Sequence, residues 1–112
     1  MAKLSLHGSA SFRETEELLR REIPACGITC ELNDSVYHSR DDMRVTTMVF
    51  EKYYMRVGNY ASLTVTVSGR DGDVWVDLIS AGSRSGVLSF SWGAEDNFVR
   101  KAADVLARHG FQ

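Results

Sequence analysis

The sequence predicts an α+β domain: an antiparallel meander of five to six strands with two helices packed on one face, in the order β-α-β-β-β-β-β-α. Three observations predict it. Tyr60-Ala-Ser-Leu-Thr-Val-Thr-Val-Ser68 and Asp73-Val-Trp-Val-Asp-Leu-Ile-Ser80 alternate around Gly69-Arg-Asp-Gly72, the pattern of a half-buried hairpin. Amphipathic stretches with helix-start signals lie near each terminus. The connections between the central segments are short, which favours antiparallel neighbours over crossovers.

Leu4-Ser-Leu-His7 alternates and reads as a first strand, broken by Gly8-Ser-Ala-Ser11. Ser11 and Glu14 have capping-box spacing, which satisfies two free N–H groups at a helix start. Phe12, Thr15, Leu19 and Ile23 then share one side, with Leu18 beside them, placing a helix over residues 12–23. Glu16 with Arg20, and Glu17 with Arg21, are i,i+4 pairs in the favourable order. Pro24 disfavours helix at Ile23, and Gly27 suits a reversal. Ile28-Thr-Cys-Glu-Leu32 begins a strand, Asn33-Asp-Ser35 interrupts it, and Val36-Tyr-His38 resumes it. After a polar turn at residues 39–42, residues 44–57 form a long β-rich run, and Gly58-Asn59 is a turn signal. Val87-Leu-Ser-Phe-Ser-Trp92 reads as a last strand ended by Gly93. Ala94-Glu-Asp opens a second helix with acids in its first turn; Phe98, Ala102, Val105 and Leu106 are its apolar stripe, and Gly110 closes it.

The hairpin register follows from its pattern. With residues 69–72 as the loop, Ser68 faces Asp73, Val67 faces Val74, Val65 faces Val76, and Leu63 faces Leu78. One face is then core. The other carries Ser62, Thr64, Thr66, Trp75, Asp77 and Ile79. The preceding strand has two alignments. One pairs Tyr54 with Leu63 and Lys52 with Val65; the other pairs Met55 with Leu63 and Tyr53 with Val65. The first leaves Lys52 on the core side, the second Glu51. A lysine can reach out along apolar surface more readily, which favours the first.

A chain of 112 residues suits one domain over residues 1–112 and buries roughly 65% of its unfolded surface. It is 44% hydrophobic and 25% charged, an ordinary globular balance. The formal net charge of −2 provides no basic field for a nucleic acid. No apolar run is long enough for a membrane span, and residues 1–7 contain no signal core, so the expected setting is cytoplasmic, with no membrane partner.

Phe50-Glu-Lys-Tyr-Tyr-Met-Arg56, Ala61-Ser-Leu-Thr-Val65 and Gly93-Ala-Glu-Asp-Asn-Phe98 resemble segments of a family of small bacterial proteins whose domain has no assigned function. The resemblance covers nearly the whole chain. It implies a bacterial origin and supplies no catalytic residues.

The residues themselves offer few sites. Cys26 and Cys30 are spaced C-x₃-C, but zinc normally takes four ligands and His7, His38 and His109 are scattered, so no metal or other cofactor is expected. No G-x-S-x-G, H-E-x-x-H or P-loop occurs, and no catalytic residue is assigned; Asp77, flanked by Trp75 and Ile79, is the one acid whose neighbours suggest chemistry. Ser83, Arg84 and Ser85, between Gly82 and Gly86, form the best anion-binding candidate: glycines free the backbone N–H groups, and Arg84 supplies a forked cation. Tyr53, Tyr54 and Arg56 form an aromatic-basic cluster, but adjacent strand tyrosines point to opposite faces and cannot form one nucleic-acid platform. The leading expectation is a non-enzymatic domain that homodimerises through Trp75, Ile79, Thr64 and Thr66, because aromatic residues are enriched at interfaces. The second is a binder of a small anionic ligand at residues 82–86, and the third a small enzyme using Asp77 or a histidine.

Overall fold

The computed structural model describes residues 2–27, 29–55, 58–82 and 94–112. Its elements are β1 (Ala2–Gly8), α1 (Phe12–Glu22), a 3₁₀ turn (Pro24–Cys26), β2 (Glu31–Arg40), β3 (Met43–Tyr54), β4 (Asn59–Arg70), β5 (Asp73–Gly82) and α2 (Ala94–Ala107). The fold is α+β, with five antiparallel strands in the order β1-β5-β4-β3-β2. Strands β2 to β5 are a meander, and β1 returns to pair with β5 at the far edge. The strand expected at residues 87–92 lies outside the described residues.

Helix α1 starts where its caps require. Ser11 Oγ accepts the Glu14 N–H at 3.2 Å, and Asp71 Oδ1 accepts the Phe12 N–H at 2.9 Å. Asp71 lies in the turn between β4 and β5, and the Gly72 N–H beside it donates to the Ala10 carbonyl at 3.0 Å. The hairpin tip is thus tied to the start of the helix. Of the expected ion pairs, Glu16–Arg20 forms at 3.5 Å. Glu17 instead meets Arg13 at 3.0 Å, and Arg21 meets Glu22 at 3.1 Å.

Both helices cover one face of the sheet. Phe12, Leu19 and Ile23 of the α1 segment and Phe98, Ala102 and Leu106 of α2 join Met48, Phe50, Leu63, Val65, Val67, Val74, Val76 and Leu78 in one buried cluster. The six hairpin residues assigned to the core are all fully buried. Their partners differ from the sequence reading. Val67 faces Val76, Val65 faces Leu78, Leu63 faces Ser80, and Arg70 faces Asp73 across a two-residue turn. Gly69 therefore stays within β4. Its φ of +126° and the 2.2 Å that would separate an added Cβ from the Asp73 carbonyl oxygen restrict this position to glycine. A two-residue shift preserves the faces, which is why the core assignment survived it.

Before Gly58 the true pairs are Tyr54–Asn59, Lys52–Ala61, Phe50–Leu63 and Met48–Val65. The partners match neither alignment, yet Lys52 and Tyr54 do lie on the core side. Lys52 reaches out at the end of the sheet, its Nζ donating to the Cys26 carbonyl at 3.2 Å and sitting 4.7 Å from the Tyr54 ring centroid. In β2 the register shifts between Leu32 and Asp34, a bulge where the sequence signalled an interruption.

Candidate functional site

The outer face of the sheet has no helix over it among the described residues. Its side chains form a lattice that can be written from the strand registers. One row across the sheet runs His7, Trp75, Ser68, Val45, His38 from β1 to β2. The next runs Ser5, Asp77, Thr66, Thr47, Val36, and the third Lys3, Ile79, Thr64, Val49, Asp34. Apart from Asp77, the middle of this face is apolar or hydroxylic, while Lys3 and Asp34 stand at its two edges. Trp75 is 48% exposed, Ile79 38% and Val36 55%.

The face is held in shape by its own contacts. The His7 ring lies 4.7 Å from the Trp75 ring, centroid to centroid, and His7 Nε2 is 2.5 Å from Asp73 Oδ1. The indole is thereby fixed from the β1 side. Ser5 Oγ donates to Asp77 Oδ1 at 2.5 Å, so this carboxylate already has a partner across the β1–β5 ladder. Tyr53 and Tyr60 meet edge to face at 5.0 Å further along. Tyr54 points to the other side, 6.4 Å from the Phe98 ring, and its hydroxyl donates to Asn97 Oδ1 at 3.1 Å.

The two cysteines sit beneath the opposite face. Burial pushes the Cys30 thiol up to about 11, with Cys26 adding to the shift. The Cys26 thiol is also raised, chiefly by burial and against the charge of Lys52. Burial likewise pushes the Tyr54 hydroxyl up to about 12. Thiols held protonated at neutral pH are weak nucleophiles and weak metal ligands, which suits their packing beside Tyr54.

The structure brings Trp75, Ile79, Thr64 and Thr66 together on one face, Thr64 pairing with Ile79, Thr66 with Asp77 in the next row, and Trp75 with Ser68 in the row beyond. Ser83, Arg84 and Ser85 lie outside the described residues. Val36, Val45, Val49, Lys3 and Asp34 belong to the same face but were missed from sequence. Alternation signals a face for each strand, but only the pairing of β3 with β4, and of β1 with β5, shows that these faces are continuous.

A protein-family model described as a family of unknown function matches residues 1–110. No curated protein and no solved structure matches the chain.

Proposed function

The chain belongs to the DUF6054 family, a family of unknown function, and we propose that it is a self-associating binding domain whose outer sheet face packs against a second copy. The observation that supports this is the self-complementarity of the lattice. A two-fold axis parallel to β4, lying between two facing sheets, reverses each row on the partner. Lys3 then meets the partner's Asp34, Ile79 meets the partner's Val49, and Trp75 meets the partner's Val45. Thr64 and Thr66 lie on the axis, each opposite its own copy. In the Lys3–Asp34 row charge meets opposite charge at both edges and apolar meets apolar inside, while in the row between, Asp77 meets the partner's Thr47 and Ser5 the partner's Val36. Sheets stacked this way cross at about 30°, so the match is tightest near the axis.

The size is adequate. Five strands about 4.8 Å apart, over about 20 Å of length, present roughly 500 Å² in projection, the low end of a specific footprint. Covering the exposed part of each Trp75 removes roughly 100 Å² from water and contributes about 2–3 kcal/mol.

Sedimentation equilibrium across the micromolar range tests the reading. The expected mass doubles with concentration, and Trp75→Asp returns it to the monomer. Lys3→Asp and Asp34→Lys should each weaken the dimer, and the double variant should restore it. A monomer at every concentration, or a charge swap without rescue, refutes the interface.

A further inference from the structure

We propose that an open pocket between α1 and the β2–β3 hairpin, on the helix side of the sheet, binds a small organic anion carried on a planar ring. The pocket is about 330 Å³ and is lined by Phe12, Arg13, Glu16, Arg20, Tyr37 and Arg44. That volume is in the range of small-molecule sites. Three guanidinium groups and one carboxylate give it a formal charge of +2, in a chain whose net charge is −2. The fold creates it because β2 is an edge strand. On the helix side its residue Tyr37 pairs with Thr46, yet Tyr37 is 53% exposed, with no second helix beyond α1 to cover it among the described residues.

Among the described residues these charges are not all satisfied. Glu16 is engaged twice, accepting a hydrogen bond from the buried Thr46 hydroxyl and lying 3.5 Å from Arg20. Arg20 also donates from Nη2 to Ser35 Oγ at 3.1 Å. Arg13 pairs with Glu17 at 3.0 Å, away on the helix surface. Arg44 has no carboxylate partner among the described residues; its guanidinium carbon lies 5.8 Å from the Phe12 ring centroid. A half-buried guanidinium resting on an aromatic face, with its N–H fork unmatched, is a receptor for an oxyanion. Arg20, fixed by Glu16 and Ser35, adds a second cation that needs no reordering on binding. Tyr37 supplies the flat wall. Its ring stands 6.4 Å from that of Phe12 at 59°, so a planar group can lie against it while its oxyanion reaches Arg44. This pocket is formed by residues other than the Ser83–Arg84–Ser85 segment.

Titration calorimetry with phenyl phosphate, benzoate and inorganic phosphate reads the site. Saturable one-to-one binding of phenyl phosphate or benzoate is expected, at least 10-fold tighter than inorganic phosphate, and the tighter of the two identifies the oxyanion. Arg44→Gln should weaken binding about 10-fold or more and Tyr37→Leu about 3-fold or more. Arg40→Gln, which removes a neighbouring exposed charge outside the pocket, should change it less than about 2-fold. Should Arg44→Gln fail to fold by circular dichroism, Arg20→Gln takes its place with the same expected loss. No saturable binding of either aromatic anion overturns the proposal. Equal affinity for inorganic phosphate, or an equal loss in Arg40→Gln, overturns it too.

Discussion

Gly69→Ala is the substitution that tests most directly how the outer face is registered. Gly69 is paired with Val74 on one side and Arg44 on the other, inside β4. Its φ is +126°, and an added Cβ would lie 2.2 Å from the Asp73 carbonyl oxygen. A residue with a side chain held at that φ costs about 1–3 kcal/mol. The close contact forces the Asp73 backbone away and weakens a neighbouring ladder hydrogen bond, worth about 1 kcal/mol more. The expected loss is about 3 kcal/mol. Gly72→Ala is the control: its φ of +89° is also unfavourable, but nothing lies within 4 Å of its added Cβ. That change should cost only about 1 kcal/mol. Urea denaturation with a common m-value measures both, and the gap of about 2 kcal/mol corresponds to roughly 10 °C in melting temperature. Equal losses, within about 0.5 kcal/mol, would refute the close approach of β5 at Gly69 and the register built on it.

Asp71→Ala removes the acceptor of the Phe12 N–H at the start of α1 and should cost about 1 kcal/mol in the same assay; Asp71→Asn should recover most of it, whereas an unchanged midpoint would mean the cap contributes nothing. The cysteine end sets an alkaline limit. Because the folded state holds the Cys30 proton to about 11, above the ordinary 9.0, unfolding releases a proton between these values. The Cys30 thiol should leave stability unchanged below about pH 9 and lower it as pH rises toward about 11, with Tyr54 extending the fall from 10 toward about 12. Cys30→Ala should flatten the first part of that fall, and a wild-type midpoint constant to pH 11 would contradict the burial of the thiol.

Much of the outer face was legible because alternation is a local signal. Trp75, Ile79, Thr64 and Thr66 follow from the period of two in β4 and β5. The register did not follow, because Gly69-Arg70 reads as loop by composition. Glycine's freedom instead lets β4 continue two residues further, to a turn that is only Asp71-Gly72. The pairing of β1 with β5 was beyond reach for a different reason. Leu4 and Leu6 signal a face but not a partner, and the partner lies more than 70 residues away, as in Leu4–Leu78. The pocket is the hardest case. Arg13, Glu16 and Arg20 share a helix face by their spacing, a signal present in the sequence. Arg44 and Tyr37 reach them only once the β2–β3 hairpin has folded against α1.

The two proposed surfaces are separable, and that separation gives a sharper test than either alone. Along β2 and β3 their residues alternate: Val36 faces outward and Tyr37 inward, Arg44 inward and Val45 outward, as the pairs Val36–Thr47, Tyr37–Thr46 and Arg44–Gly69 require. A second copy on the outer face therefore touches the backbone that carries the pocket but none of the pocket's side chains. Trp75, two strands from Arg44 and on the opposite face, is outside the pocket altogether. Trp75→Asp should abolish the dimer and leave phenyl phosphate affinity within about 2-fold, while Arg44→Gln should do the reverse. Should Trp75→Asp reduce both by 10-fold or more while the monomer stays folded, the sheet would be acting as one coupled element. The self-association would then be part of the ligand site, and the independence argued from alternation would fail.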